Sequence, residues 1–204
     1  DKVLTSRRWR AAAQLGRYAT LVPTFVAVSG LPASGKSTLA SALAEGLQFP
    51  FLDKDDFLER LFDVEGVGDS MHRRRLSVRA DDHFRDAALA AGRAVLSSWW
   101  RHPMSTVESG TPCDWLSPPG GVLVEVHCSC TALTSAARFS ARTRHPGHLD
   151  KTSSEEGRLA KLQQQEHFGP LFPDRAIVVS TEKAVVVPDL VARVQSALLQ
   201  QRVA

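Results

Sequence analysis

Residues 30–37 read Gly-Leu-Pro-Ala-Ser-Gly-Lys-Ser, an unbroken G-x-x-x-x-G-K-[ST]. The compact apolar run Thr24-Phe-Val-Ala-Val-Ser29 precedes it, and Ser37 to Leu47 follows with Leu39, Leu43 and Leu47 recurring every four residues. That is strand, glycine turn, helix. The spacing has a mechanical cause. Gly30 lets the chain leave its strand sharply, and Gly35 lets backbone N–H groups approach phosphate oxygens closely. These amides and the helix N-terminus supply fixed positive potential. Lys36 can then reach the outer phosphates of a nucleotide, and the Ser37 hydroxyl can ligate magnesium. Gly30, Leu31, Pro32, Ala33, Ser34, Gly35, Lys36, Ser37 and Thr38 are therefore the expected nucleotide contacts, with ATP and Mg²⁺ as the cofactors.

A loop of this kind demands a sheet behind it, and the rest of the chain supplies one. Further strands are expected at 49–53, 94–100, 122–128 and 176–181. Helices are expected at 37–47, 55–63, 71–91, 131–142, 155–167 and 189–202, with Gly92 ending the long one. On 71–91 the expected buried face is Leu76, Ala80, Phe84, Ala87 and Ala91. Strands alternating with helices imply an α/β protein with a mostly parallel sheet covered on both faces. A basic helix over 4–19, bearing Arg7, Arg8, Arg10 and Arg17, reads as an N-terminal extension (1–22) to a single kinase-like domain (23–204). A solvated, packed helix is favoured there over a targeting peptide.

Phosphoryl transfer needs positioned groups and charge neutralisation, with a carboxylate to orient or deprotonate the attacking hydroxyl. Asp53-Lys54-Asp55-Asp56 lies where the second strand meets its helix, the end of an open sheet where ligands bind. Asp55 is the candidate base; it can equally cap the helix, as Asp56 is expected to. Asp53 joins Ser37 as a candidate metal ligand. Arg138-Phe-Ser-Ala-Arg142-Thr-Arg144 closes a helix that runs into a glycine-bearing stretch, the place for a mobile lid over about 138–157. Arg138 and Arg142, four apart, share a helix face, and guanidinium groups bind phosphate oxygens in a fork.

Weaker features surround these. Arg73, Arg74, Arg75 and Arg79 can receive an anionic acceptor, or form an ordinary solvated helix face. Trp99 can stack on a flat acceptor or sugar ring, while alternation leaves one of Trp99 and Trp100 in the core. His145-Pro-Gly-His148 invites a metal reading, but two histidines without a third ligand read better as a turn. Arg75, Arg79 and Trp99, with Asp55, make the expected acceptor side.

Composition excludes little beyond this. A net charge of +3 from 25 basic and 22 acidic residues is too mild to imply nucleic acid by itself. Cys113, Cys128 and Cys130 form no even framework, which suits a reducing, cytoplasmic setting. No apolar run nears the roughly 20 residues of a membrane helix.

Taken in order, GLPASGKSTLA, LDKDDF and RFSAR resemble the small P-loop kinases related to polynucleotide kinase, chloramphenicol phosphotransferase and zeta-type toxins. The resemblance implies a three-layer fold with sheet order 2-3-1-4-5. It also implies that Asp55 is the acceptor's base, that Arg138 contacts the nucleotide and that Arg142 contacts the transferred phosphate. The chain departs from many relatives in one respect. Where they keep a metal-holding aspartate at the end of the third strand, it has Ser97-Ser98-Trp99-Trp100. The leading expectation is an ATP-dependent kinase acting on a hydroxyl of a sugar, nucleoside or antibiotic. A polynucleotide 5′-hydroxyl kinase and a nucleotide-binding regulatory module are the alternatives.

Overall fold

A computed structural model describes residues 22–150 and 154–203; the expected helix over 4–19 lies outside the described residues. Five parallel strands form one sheet: β1 Thr24–Gly30, β2 Phe51–Asp53, β3 Arg93–Ser97, β4 Val122–Ser129 and β5 Ala176–Ser180. Their spatial order is β2-β3-β1-β4-β5, the order the resemblance implies. The helices are α1 Lys36–Leu47, α2 Lys54–Glu65, α3 Ser70–Ala91, α4 Ala132–Ala141, α5 Glu155–Glu166 and α6 Val187–Val203. Among the described residues, no helix is long and apolar enough to cross a membrane.

Alternation along β1 builds the two cores. Phe25 and Ala27 face α2 and α3, packing with Leu58, Phe62, Leu76, Phe84, Leu96 and Trp100. Val26 and Val28 face α1 and α6, packing with Leu43, Val95, Val124, Leu190 and Val194. β1 is thus apolar on both sides, as the centre of a sheet sandwiched between helix layers requires.

The end of β3 and the buried face of α3 differ from expectation. β3 ends at Ser97, because the buried Ser98 Oγ turns to Thr111 Oγ1 (2.6 Å) and Trp100 joins Thr111 in an isolated bridge. Trp100 then packs in the core and donates Nε1–H to Val28 O (3.0 Å), leaving Trp99 exposed. On α3 the fully buried positions are Leu76, Ala80, Phe84 and Ala88, with Ala87 and Ala91 only partly covered.

Candidate active site

All five strands point their carboxyl ends at one edge, and the site is assembled there. Gly30 leaves β1 at φ 129°, and a Cβ on it would lie 2.3 Å from Cys128 O, so no other residue fits. Gly35 caps α1 at φ 91°, in the left-handed region. Between them Lys36 folds back: its ammonium donates to Gly30 O (3.0 Å) and Leu31 O (2.6 Å). Burial pushes the Lys36 pKa down, opposed by the neighbouring charges of Asp53 and Asp55. Ser37 and Thr38 are exposed on the first turn, and Ser34 Oγ is buried with no protein partner. An orphaned hydroxyl, free amides and a buried ammonium in one turn fit a polyphosphate.

Asp53 and Asp55 meet the loop from the β2 side. Asp53 is buried, and its Oδ1 accepts from Asp55 N (3.0 Å), capping α2. Neither Asp55 nor Asp56, the residues expected to cap, performs the task; Asp53 does, and the Asp55 side chain is left to other partners. Burial pushes the Asp53 pKa up, against a hydrogen bond from Ser37. Ser37 Oγ also lies 3.3 Å from Ser97 Oγ. Two hydroxyls and a carboxylate are hard oxygen donors of the kind Mg²⁺ takes, and that ion needs few protein ligands beside substrate phosphates. Among the described residues, no group of three His, Cys, Asp or Glu side chains is placed to hold a metal. Ser37 and Asp53 fit the expected magnesium through this mixed set instead.

Asp55 forms an ion pair with Arg144. Burial would raise the Asp55 pKa, but the guanidinium of Arg144, with Lys54 behind it, holds the carboxyl below the usual range. Lys54 is itself buried beneath the site, with Nζ 2.6 Å from Ser77 Oγ and 3.5 Å from Asp81 Oδ1. Arg144 also reaches Asp150 (3.4 Å), and Arg142 approaches the same carboxylate (3.9 Å). Burial depresses the Arg73 and Arg142 pKa values, and the Arg144 charge adds to both shifts; the Nε atoms of Arg73 and Arg142 are buried with no protein partner. Three guanidinium groups thus surround Asp55 and Asp150.

The expected residues do not all gather here. Arg142 does, close enough to influence Lys36. Arg138, one turn earlier on α4, donates instead to Thr181 O (2.7 Å) at the end of β5. Arg75 leans on His72 (3.4 Å), and Arg79 pairs with Glu65 (2.6 Å), both on the exposed side of α3. Arg73 faces inward in their place. Arg144, Lys54 and Asp150 were given no role by sequence reasoning. His145 and His148 form the expected turn, Pro146–His148, and dock on α2.

A cavity of about 430 Å³ adjoins the phosphate loop, walled by Trp99, His102, His127, Cys130, Phe168 and Glu182, among others. No lysine or arginine lines it, and Asp55 lies outside it. Behind the lining residues Ser29, His127 and Leu171 lies a fully buried carboxylate. Glu125 accepts from the Ser29 hydroxyl, from Leu171 N (2.9 Å) and from Phe172 N (2.7 Å). His127 Nδ1 completes the chain at 2.8 Å from Ser29 Oγ.

Comparison with known proteins agrees with this fold. A family model described as an AAA domain matches residues 25–171. A shikimate kinase from Chlorobium phaeobacteroides (strain BS1) is 30% identical over 170 residues, spanning 78% of this chain and 79% of that protein. The crystal structure of a protein from Chloroflexus aurantiacus, provisionally described as a kinase, superposes with a TM-score of 0.72. It is 25% identical, over 87% of this chain and 99% of that one. A gluconokinase from Sinorhizobium meliloti shares the fold at TM-score 0.53 and 19% identity, over 88% of this chain and 94% of that one. With most of its length inside the family model and a complete phosphate loop at the sheet edge, the chain belongs to the AAA domain family, among its small P-loop kinases.

Proposed function

We propose that this chain transfers the γ-phosphoryl group of ATP to a hydroxyl of a small acceptor that also carries an anionic group. The observation that supports this best is the grouping of Lys36 and Asp55 with Arg73, Arg142 and Arg144 at one sheet edge. Lys36, Arg73, Arg142 and Arg144 carry four positive charges there against the three carboxylates Asp53, Asp55 and Asp150, and that excess favours an acid over a neutral sugar or nucleoside. The 30%-identical relative is named for shikimate, a hydroxy acid, in keeping with this.

In this reading the amides of residues 30–37 and Lys36 bind the β- and γ-phosphates. Asp55 takes the proton of the acceptor hydroxyl as its oxygen bonds the γ-phosphorus and the bond to the bridging oxygen of ADP breaks. Arg142 neutralises charge gathering on the phosphoryl oxygens, Arg138 holds the nucleotide from the β5 side, and Arg73 holds the anionic end of the acceptor. Mg²⁺, held by Ser37 and Asp53, would supply charge neutralisation across the β- and γ-oxygens. Trp99 lines the separate cavity that excludes Asp55, so it takes no part at the acceptor in this reading.

Polynucleotide phosphorylation loses its support, since Arg74 and Arg79 are engaged with Glu108 and Glu65 on an exposed face. Incubation with Mg·ATP and a panel of hydroxy acids, sugars and nucleosides, followed by phosphorus NMR, tests the proposal. Transfer to hydroxy acids is expected. Calorimetric binding of Mg·ATP with no transfer to any acceptor would instead favour the regulatory module.

A further inference from the structure

We infer that Arg144, held in place by the turn that follows it, guards Asp55 against water until an acceptor hydroxyl displaces the guanidinium. The inference rests on the reading of Asp55 as the acceptor's base. The chemistry sets the problem. Transfer and hydrolysis differ only in whose O–H gives its proton to Asp55 while its oxygen bonds the γ-phosphorus of ATP and ADP departs. The Asp55 side chain is 47% exposed, so water can reach it. Arg144, only 18% exposed, sits on that carboxylate and shares itself with Asp150.

The guanidinium is not there by chance of a flexible loop, because the next residues are seated on α2. The His145 ring stacks on Phe62 (centroids 5.3 Å apart, 13° between planes) and approaches Asp63 at 3.4 Å. Gly147 lies so close to the same ring that a Cβ would come within 2.4 Å of it. His148 is buried, edge-on to Phe62, with Nε2 2.8 Å from Glu59 Oε1. Leu149 takes a left-handed backbone at φ 56°, which a leucine adopts only where its surroundings impose it. Phe62 belongs to the core and gives this dock a fixed base. The turn thus locates Arg144, and an acceptor with its own anionic group can draw the guanidinium off Asp55 while offering the hydroxyl that Asp55 needs.

The test is hydrolysis of Mg·ATP without acceptor, measured beside calorimetric affinity for Mg·ATP. Arg144→Gln is expected to hydrolyse about fivefold faster than wild type, the scale of a partly exposed ion pair released from the carboxylate. Gly147→Ala, which keeps Arg144 but forces the turn off Phe62, should raise the rate by a smaller factor. Adding Asp55→Asn to Arg144→Gln should return the rate to the wild-type level or below. If Arg144→Gln binds Mg·ATP normally yet hydrolyses it no faster, the guard is overturned while the base assignment stands. If Asp55→Asn leaves the accelerated rate untouched, Asp55 is not the base and both readings fall.

Discussion

Asp53 of β2 stands directly beside Ser97 of β3 in the parallel register, and Ser97 Oγ is 3.3 Å from Ser37 Oγ. The carboxylate nearest the phosphate loop's hydroxyl therefore comes from β2, and β3 contributes a neutral oxygen. A buried acid next to a serine carries an electrostatic cost that a bound cation would remove. Asp53→Asn keeps the cap on α2, because asparagine accepts from the same amide. The variant should melt about 2 °C higher than wild type without nucleotide, since burial makes the charged Asp53 carboxylate costlier in the fold than in the open chain and asparagine carries no charge. Its affinity for Mg·ATP should lose most of its dependence on magnesium. Thermal shift with and without Mg²⁺ reads both effects.

Asp55→Asn should bind Mg·ATP as wild type does and lose transfer by about a hundredfold or more. Transfer requires the ionised carboxylate, so activity falls as pH drops through the Asp55 pKa. In wild type that pKa lies below the ordinary carboxylate range, because Arg144, His148 and Lys54 together outweigh burial. Removing Arg144 leaves burial opposed by His148 and Lys54 alone, and the pKa rises. The acid limb of kcat/KM in Arg144→Gln should therefore move to higher pH, which a pH–rate profile measures.

Lys36→Ala removes the ammonium held by Gly30 O and Leu31 O. Affinity for Mg·ATP should fall by about ten- to a hundredfold, with turnover falling at least as far. The ligand-free fold should lose little stability, since burying that charge already costs energy. Calorimetry beside thermal melting separates the two effects.

Arg73→Met should raise the acceptor KM by about tenfold and change the ATP KM little, since Arg73 is coupled to Asp55, Asp150 and Arg144 rather than to the phosphate loop. Arg75→Ala and Arg79→Ala, whose side chains face outward, should leave both constants within twofold. Initial-rate kinetics with varied acceptor decide it.

Glu125→Ala leaves the Leu171 and Phe172 amides and the Ser29 hydroxyl without their acceptor in the core, and should cost roughly 3 kcal/mol or more. Those donors, with His127, overcome burial and depress the Glu125 pKa. Its stabilisation is therefore present above the unfolded pKa and lost as pH falls through the folded one. Urea titrations at neutral and acid pH should find the variant's deficit largest at neutral pH and shrinking under acid.

The parts legible from sequence are those specified over a few neighbouring residues. Gly30, Gly35, Lys36 and Ser37 carry their geometry in their own spacing, and Asp55 follows from its place where a strand meets a helix. Arg73 could have been found. It lies three residues before Leu76 and seven before Ala80, hence on the buried side of α3, whereas Arg75 and Arg79 lie on the other. Helix phase decides this. Arg144 is different: its contact with Asp55 spans 89 residues, and nothing near either residue announces it. The same holds for Glu125, whose acidic side chain inside an apolar strand is explained by Ser29, 96 residues before it, and by a loop 46 residues after it. β3 was read too long because Trp99 and Trp100 have strong strand propensity, which the Ser98–Thr111 hydroxyl bond overrides.

Both Arg142 and Arg158 rest on the single ring of Phe139, at 4.2 and 4.4 Å from its centroid, and Arg158 also donates to Ser140 and to Asp150 O. The end of α4 and the start of α5 are thereby riveted together at one aromatic plate. Arg142 therefore keeps its seat on that plate when the two helices shift together and forfeits it when the side chain rotates alone.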